Sequence, residues 1–346
     1  MYPEIRIYCS QPTKIAEKDD ILLSVRAPVG PTNLAPCRVC IGRGLTAIRP
    51  SEKLNLKYLL YFFRYFEVQL QQKGTGTTFK AITQDIIKNL KIPIPPISEQ
   101  ERIVARIEEL FSQLDSGVET LKKIKPQLAV YRQAVLKEAF ESDYPRVRLG
   151  EIALALGGYA FKSKKYSEDG QYVVVKIGNV KEFHFDFSRD FTKTTETDVS
   201  ILNRYLLQEG DCLITLTGSR GKRDYGYVAM VTDQTNFLLN QRVAALRFNF
   251  RVAVPKFYMY YLSSPDYRNQ FFSYETGNVG QGNVGIKALS EPIVICPTIE
   301  KQQEIINMIE EKMSVCDSIE QTVDTALQQA EAMRQSILNQ AFEGRL

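Results

Sequence analysis

The residues best suited to chemistry in this 346-residue chain lie in polar loops. One is Lys73-Gly74-Thr75-Gly76-Thr77-Thr78-Phe79-Lys80, and a second is Thr276-Gly277-Asn278-Val279-Gly280-Gln281-Gly282-Asn283. Two more are Lys162-Ser163-Lys164-Lys165-Tyr166 and the loop 218–226, which holds Arg220, Lys222 and Arg223. Arg26, Arg43, Lys176, Asn179, Gln241 and Arg242 stand at the ends of predicted strands. Asn and Gln amides can meet an adenine edge with two hydrogen bonds, and an Arg fork can do the same to guanine. Lys side chains and backbone amides hold phosphates. The candidate DNA contacts are therefore Arg26, Arg43, Lys73, Thr75, Thr77, Lys80, Lys162, Lys164, Lys165, Lys176, Asn179, Arg220, Lys222, Arg223, Gln241, Arg242, Asn278, Gln281 and Asn283. Composition alone does not separate these from ordinary surface loops.

Catalytic sets are not found. The chain has a single histidine, so no His-rich metal site can be built. His184 sits in the alternating run Phe183-His184-Phe185-Asp186-Phe187 and reads as a structural residue of a strand. No phosphate loop of the GxxxxGK[ST] type occurs. The glycines between 277 and 285 do not join a strand to a helix, so they do not make a dinucleotide site. Cys37 and Cys40 form a lone CxxC with no second pair.

What must position the loops is a duplicated stretch. The segment 95–142 recurs without a gap at 297–344. Pro95 answers Pro297, Gln100 answers Gln302, Asp115 answers Asp317, and Arg132-Gln133 answers Arg334-Gln335. An internal repeat fixes architecture before any other signal. Each copy predicts one long helix, since apolar residues recur at steps of 3 and 4 as in a coiled-coil seam. The first stripe is Ile103, Ile107, Leu110, Leu114, Val118, Leu121, Ile124, Leu128, Tyr131 and Val135. The second runs Ile309, Met313, Cys316, Val323, Ala326, Ala330, Met333 and Ile337. Ser98 with Glu101 has the pattern of a capping box. Pro126 predicts a kink or short break near Lys125. Two helices with one seam each are expected to pack together.

The globular parts repeat more weakly. Asp20-Ile21-Leu22 answers Asp211-Cys212-Leu213, Gly42-Arg43 answers Gln241-Arg242, and the loop at 73–80 answers that at 276–283. The second part carries a segment between Val147 and Asp211 that the first does not, so the first is expected to lack its front. Strands are predicted at 20–25, 39–49, 90–94, 171–179, 210–217, 227–231 and 243–248. Helices are predicted at 55–72, 82–89, 255–263 and 265–272. The fold class is α+β: two mixed domains at 1–94 and 144–296, and two long antiparallel coiled-coil helices at 95–143 and 297–346.

A hydrophobic content of 44% and a charged content of 24% are those of a globular protein. A net charge of +4 permits nucleic-acid binding without arguing strongly for it. No apolar run approaches the roughly 20 residues of a transmembrane helix. The start, MYPEIRIYCS, lacks the apolar core of a signal peptide, which points to the cytoplasm and away from a membrane.

Several pieces together resemble one family. They are DILLSVRAPVG (20–30), IGRGLTAIRP (41–50), GTGTTFKAI (74–82), IPIPPISEQERIV (92–104), VRLGEIA (147–153), VVKIGNV (174–180), GDCLIT (210–215) and the twin helix ends with EAFE and QAFEG. In this order and duplication the chain resembles the specificity subunit of type I restriction-modification enzymes. The resemblance implies two target recognition domains, each reading one half of a split, asymmetric site on double-stranded DNA. It implies that the paired helices fix the gap between half-sites and dock two modification (methyltransferase) subunits, with restriction subunits joining the complex. It also implies that S-adenosylmethionine, ATP and Mg belong to those partners and that this chain is not itself an enzyme. The incomplete first domain is a departure from the family pattern. A coiled-coil scaffold whose globular domains bind proteins is the alternative; a single-chain methyltransferase-nuclease fails because no length remains for catalytic domains.

Overall fold

The computed structural model describes residues 3, 8, 10–75, 80–196, 198–233, 236–278 and 280–346. The chain divides into two compact units, Met1–Lys125 with Gln321–Leu346, and Pro126–Glu320.

In the first unit, Thr32–Leu34, Ile21–Ser24 and Leu45–Ile48 form an antiparallel sheet in that order. Leu56–Tyr65 packs beside it. This helix begins at Asn55, whose side-chain oxygen accepts from the amides of Lys57 and Tyr58. Ile21, Leu23, Leu59, Leu60 and Phe63 make the core. The predicted helix 55–72 is two helices, Leu56–Tyr65 and Glu67–Gln72, divided at Phe66. The predicted strand at 39–49 is Val39–Cys40 and Leu45–Ile48, separated by a turn. The predicted helix at 82–89 shortens to Gln84–Lys88. No strand forms at 90–94. In the second unit the corresponding Ile293–Ile295 pairs with Arg146–Arg148, whereas among the described residues of the first unit no strand pairs with 90–94.

The second unit has a four-stranded antiparallel sheet in the order Val228–Met230, Cys212–Thr215, Val243–Phe248, Ala153–Gly157. A smaller sheet places Phe237–Leu239 parallel to Tyr172–Val175, with Lys193–Thr194 antiparallel beyond it. Pro255–Leu262 and Pro265–Ser273 cover the main sheet, each with proline in its first turn. No strand forms at 183–187, contrary to expectation. Phe183 is left-handed at φ 67°, Phe185 and Phe187 pack beside Phe237, and His184 is exposed.

The two duplicated stretches are single helices, Ile97–Ala139 and Ile299–Phe342. Ion pairs tie them antiparallel inside each unit. In the first unit Lys125 meets Asp324 at 2.6 Å, and Arg334 pairs with Asp115. In the second Arg132 meets Asp317 at 2.7 Å, and Lys312 meets Glu138 at 3.0 Å. Pro126 does not break the helix. It is exposed, as is Lys122, whose carbonyl loses its helical partner and can turn to water. Ser98 does not cap: the helix begins at Ile97, and the Pro96 carbonyl accepts from Glu99 and Gln100. The stripe is buried at Ile103, Ile107, Leu128 and Val135. Tyr131 and Met333, placed on it by spacing, are instead 48% and 55% exposed.

One buried glutamine anchors each helix to its unit. The Gln100 Oε1 accepts from the Asn55 amide, and its Nε2 donates to the Lys53 and Pro95 carbonyls, all within 2.9 Å. Gln302 does the same to the Val254 amide and the Val252 and Pro297 carbonyls at 2.8 Å. Both are fully buried. Each side chain satisfies three backbone groups that would otherwise cost about 1–3 kcal/mol apiece.

Candidate nucleic-acid interface

In the second unit the loops predicted as contacts close into a two-stranded ribbon. Thr217–Ser219 pairs antiparallel with Gln281–Asn283, with Thr217 opposite Asn283 and Ser219 opposite Gln281. Strand alternation puts these four side chains on one face. Gln281 and Asn283 are exposed, and Gly282 between them is buried.

The other face is glycine for a steric reason. A Cβ on Gly282 would lie 2.3 Å from Glu275 Oε1 and 2.7 Å from the Tyr225 hydroxyl, and one on Gly218 would lie 2.6 Å from Asp224 Oδ1. Beneath the ribbon the Tyr225 hydroxyl donates to Glu275 at 2.5 Å. Burial first, then Glu275, pushes that phenol up, so it remains a donor. Asp224 accepts from the Ser219 amide at 2.6 Å, which holds its carboxyl below the usual carboxylate range.

The cationic loop 220–226 is pinned by Arg268. Its guanidinium donates to the carbonyls of Arg223, Tyr225 and Gly226 at 2.9–3.2 Å and lies over the Phe272 ring. Burial lowers its pKa. Arg220 donates to the Gly277 carbonyl at 3.0 Å and faces Glu275 at 3.8 Å, which joins this loop to 275–280. Arg223 lies over Phe272, while Lys222 and Asn278 are exposed. The corner with Gln241 and Arg242 reaches the same sheet end, since the Leu216 amide donates to the Arg242 carbonyl. Both corner residues are exposed.

The remaining candidates of this unit behave differently. Lys162 and Lys164 are exposed on the next turn, which the Tyr159–Asn240 bridge ties to the corner. Lys165 is held by the buried Glu196 at 2.6 Å. Lys176 donates to Asp190 and Thr192 and lies over Tyr166. Asn179 is not at the surface. It is 1% exposed, and its amide is consumed by the Asp186 and Asp190 carbonyls and the Lys176 amide. A polar residue at a strand end gave no sign of pointing inward.

In the first unit, Arg26 bridges Ala81, and Thr75 bridges the same residue. The Val25 amide donates to the Gly44 carbonyl, which draws the Arg43 turn alongside. Arg26, Arg43, Thr75 and Lys80 thus share one sheet end and are exposed, as is Lys73 at the end of its helix. Thr77 lies outside the described residues. Each sheet is locked at its other end by one ion pair. Arg49 grips Asp20 with two bonds at 2.8 Å, as Arg247 grips Asp211 at 2.8 and 2.7 Å.

Thr217, Ser219 and Arg268 were missed by sequence reasoning. Alternation with Gly218 was the only local signal for the first two, and it is too short to read without the partner strand.

The profile of the type I restriction modification DNA specificity domain matches residues 7–128 and 141–329. The chain belongs to this family. The EcoKI specificity subunit of Escherichia coli K12 is 26% identical over 328 residues, covering 90% of this chain and 70% of that subunit. The putative MjaX specificity subunit of Methanocaldococcus jannaschii is 36% identical over 137 residues, 39% of this chain and only 31% of that subunit. Among solved structures, a chain from a study of type I R-M complex assembly and conformational transition superposes with a TM-score of 0.72 at 19% identity, covering 97% of this chain and 85% of its own. The HsdS subunit of Thermoanaerobacter tengcongensis gives 0.55 at 20% identity, covering 97% and 84%. Both superpose over nearly the whole of this chain and so share its fold. Among the described residues no helix is long and apolar enough to cross a membrane.

Proposed function

We propose that this chain is the DNA-reading subunit of a type I restriction-modification complex and contributes specificity, not catalysis. The observation that carries the reading is the ribbon that presents the exposed Gln281 and Asn283 beside the half-buried Thr217 and Ser219. A two-stranded ribbon fits the major groove, where amides and hydroxyls meet base edges. Arg220, Lys222, Arg223 and Arg242 stand beside it for guanine or phosphate. The sheet end with Arg26, Arg43, Thr75 and Lys80 serves the first half-site. A continuous helix of 43 residues is about 65 Å long at 1.5 Å per residue. That exceeds the roughly 34 Å of one DNA turn between half-site centres, and it supports a spacer role for the helices. Two methyltransferase subunits dock on those helices, restriction subunits join through the complex, and S-adenosylmethionine, ATP and magnesium are held by these partners. The complex works in the cytoplasm.

The test is methylation mapping of DNA modified by the complex, with Gln281→Ala and Asn283→Ala alongside the parent chain. A split motif with a fixed gap is expected. Each substitution should cost about 1–3 kcal/mol and relax one position of one half-site. Lys222→Ala should weaken binding to all sequences alike and reduce the salt slope by about one. An unchanged motif in the Gln281 and Asn283 variants would remove the ribbon from the reading surface.

A further inference from the structure

In the second unit the run from Lys181 to His184 is a tight turn with a strained tip. Val180 bridges Phe185, the Lys181 amide donates to the His184 carbonyl at 3.0 Å, and Phe183 stands at φ 67°. A bulky residue seldom adopts that region, and such a position persists where its surroundings over-determine it. Here the Phe183 amide donates to the Val228 carbonyl at 2.7 Å, and its ring lies 5.2 Å from that of Tyr260. The turn brings Glu182, half-buried, to the helix Ile97–Ala139, where its carboxylate accepts from the Gln133 Nε2 at 3.4 Å.

Glu182 thus stands between two parts of the unit. On one side is the helix pair: Gln133 follows Arg132, which holds Asp317 and Glu320 of the opposite helix. On the other is Arg268, which holds the loop 220–226 by three carbonyls and lies over the ring of Tyr227, the residue before Val228. Those three acceptors are neutral, and burial disfavours the Arg268 cation. The carboxylate whose charge favours it is that of Glu182. The effect is mutual: burial pushes the Glu182 carboxyl up, and Arg268, Gln133 and Arg132 draw it back down. In the first unit Gln335, which answers Gln133 in the repeat, donates to the Tyr65 carbonyl instead.

We propose that Glu182 is a positioning residue for DNA recognition by the second unit. Its carboxylate is the counter-charge that holds Arg268 against the loop of Arg220, Lys222 and Arg223, and it fastens that arrangement to the helix at Gln133. It acts through Arg268 and not by contact with DNA. The proposal rests on the DNA-reading role above and adds a residue that sequence gives no reason to place there.

The test compares Glu182→Gln with the parent, in methylation mapping of the complex and in unfolding of the full chain. Discrimination at positions of the second unit's half-site should fall roughly tenfold, within the reach of coupling through packed groups. The first unit's half-site should stay as it was. Stability should not fall with it. A carboxyl raised by burial costs stability as pH rises through its folded value, so at neutral pH the uncharged glutamine should unfold at the same midpoint or a higher one. The charges acting on Glu182 are those of Arg268 and Arg132, and on its own turn the His184 Nδ1 lies 3.0 Å from its carbonyl. The variant keeps all three and lacks only the carboxylate. On acidification the parent's discrimination should therefore fall to the variant's level, while the variant's holds over the same range. Arg268→Gln should relax the same positions, and adding Glu182→Gln to it should change nothing further. A split motif unaltered by Glu182→Gln, stability lost along with discrimination, a pH step retained by the variant, or additive losses in the double variant would each overturn the positioning role alone. A parent complex with no split motif would overturn the DNA reading and the proposal with it.

Discussion

The two units are built on the same anchors and finished differently. Gln100 and Gln302 make the same three bonds, Asp20–Arg49 and Asp211–Arg247 lock the same corner, and Arg334–Asp115 repeats Arg132–Asp317. The second unit adds the strand Ala153–Gly157, a second small sheet and the loop of Glu182 and Phe183. What repeats is the set of bonds that ties helix to domain, and what differs is added to that common frame, even where the added loop reaches Gln133 on the helix. Geometry and reading are therefore separable parts of the molecule.

The glutamine anchors give the strongest way to break this equivalence. Gln100→Leu and Gln302→Leu each leave one amide and two carbonyls without their partner in a buried place. Each should cost about 3 kcal/mol or more. Urea unfolding of the full chain, with hydrogen exchange assigning the loss to one unit, should give costs within about 1 kcal/mol of each other and near-additive in the double variant. A large cost at one site only would show that the repeat is of sequence and not of energetics.

Gly282→Ala sharpens the other side of the comparison. Its Cβ would overlap Glu275 and Tyr225, an overpacking worth about 2 kcal/mol that tilts the ribbon. In methylation mapping the half-site read by the second unit should relax while that read by the first persists. Loss of both halves together would mean the units do not read independently.

The Asp20 and Asp211 locks come next. Asp20→Asn should destabilise the first unit by about 2 kcal/mol, the scale of a hydrogen bond to a charged group. Its Arg49 bonds hold the carboxyl below the usual carboxylate range. A lowered pKa means stability that is complete above the unfolded value and drains away as pH falls through the folded one. Parent and variant should therefore differ at neutral pH and converge in acid, as read by unfolding midpoints across the pH range.

The long helices, most of the main strands and the repeat were legible because periodicity is local and the duplication confirms it. The ribbon was not. Thr217-Gly218-Ser219 has no strand composition and becomes a strand only by meeting Gln281–Asn283 far along the chain. Asn179 looked like a contact and is a buried pin, because residue type does not tell which side of a loop faces water. Pro126 predicted a kink or a short break, and of these the break does not occur, because an exposed position can leave the freed carbonyl to solvent. Tyr131 and Met333 fit the seam by spacing yet face outward. They occupy the same position in both copies, so the departure belongs to the repeat itself.

The smallest effect concerns the twin arginines of the helix pair. Arg132 meets two carboxylates, Asp317 at 2.7 Å and Glu320 at 2.8 Å. Arg334 meets Asp115 and lies over the Phe111 ring. Exposed pairs of this kind contribute about 0.2–1 kcal/mol, and salt screens them. Arg132→Ala should therefore lose most of its effect in high salt, because its partners are charges. Arg334→Ala should keep more of its own, because contact with an aromatic face survives screening better than an ion pair does. Unfolding midpoints of both variants at low and high salt read the difference directly. Equal salt sensitivity would mean that Phe111 adds nothing, and that the two copies of the repeat hold their helices by charge alone.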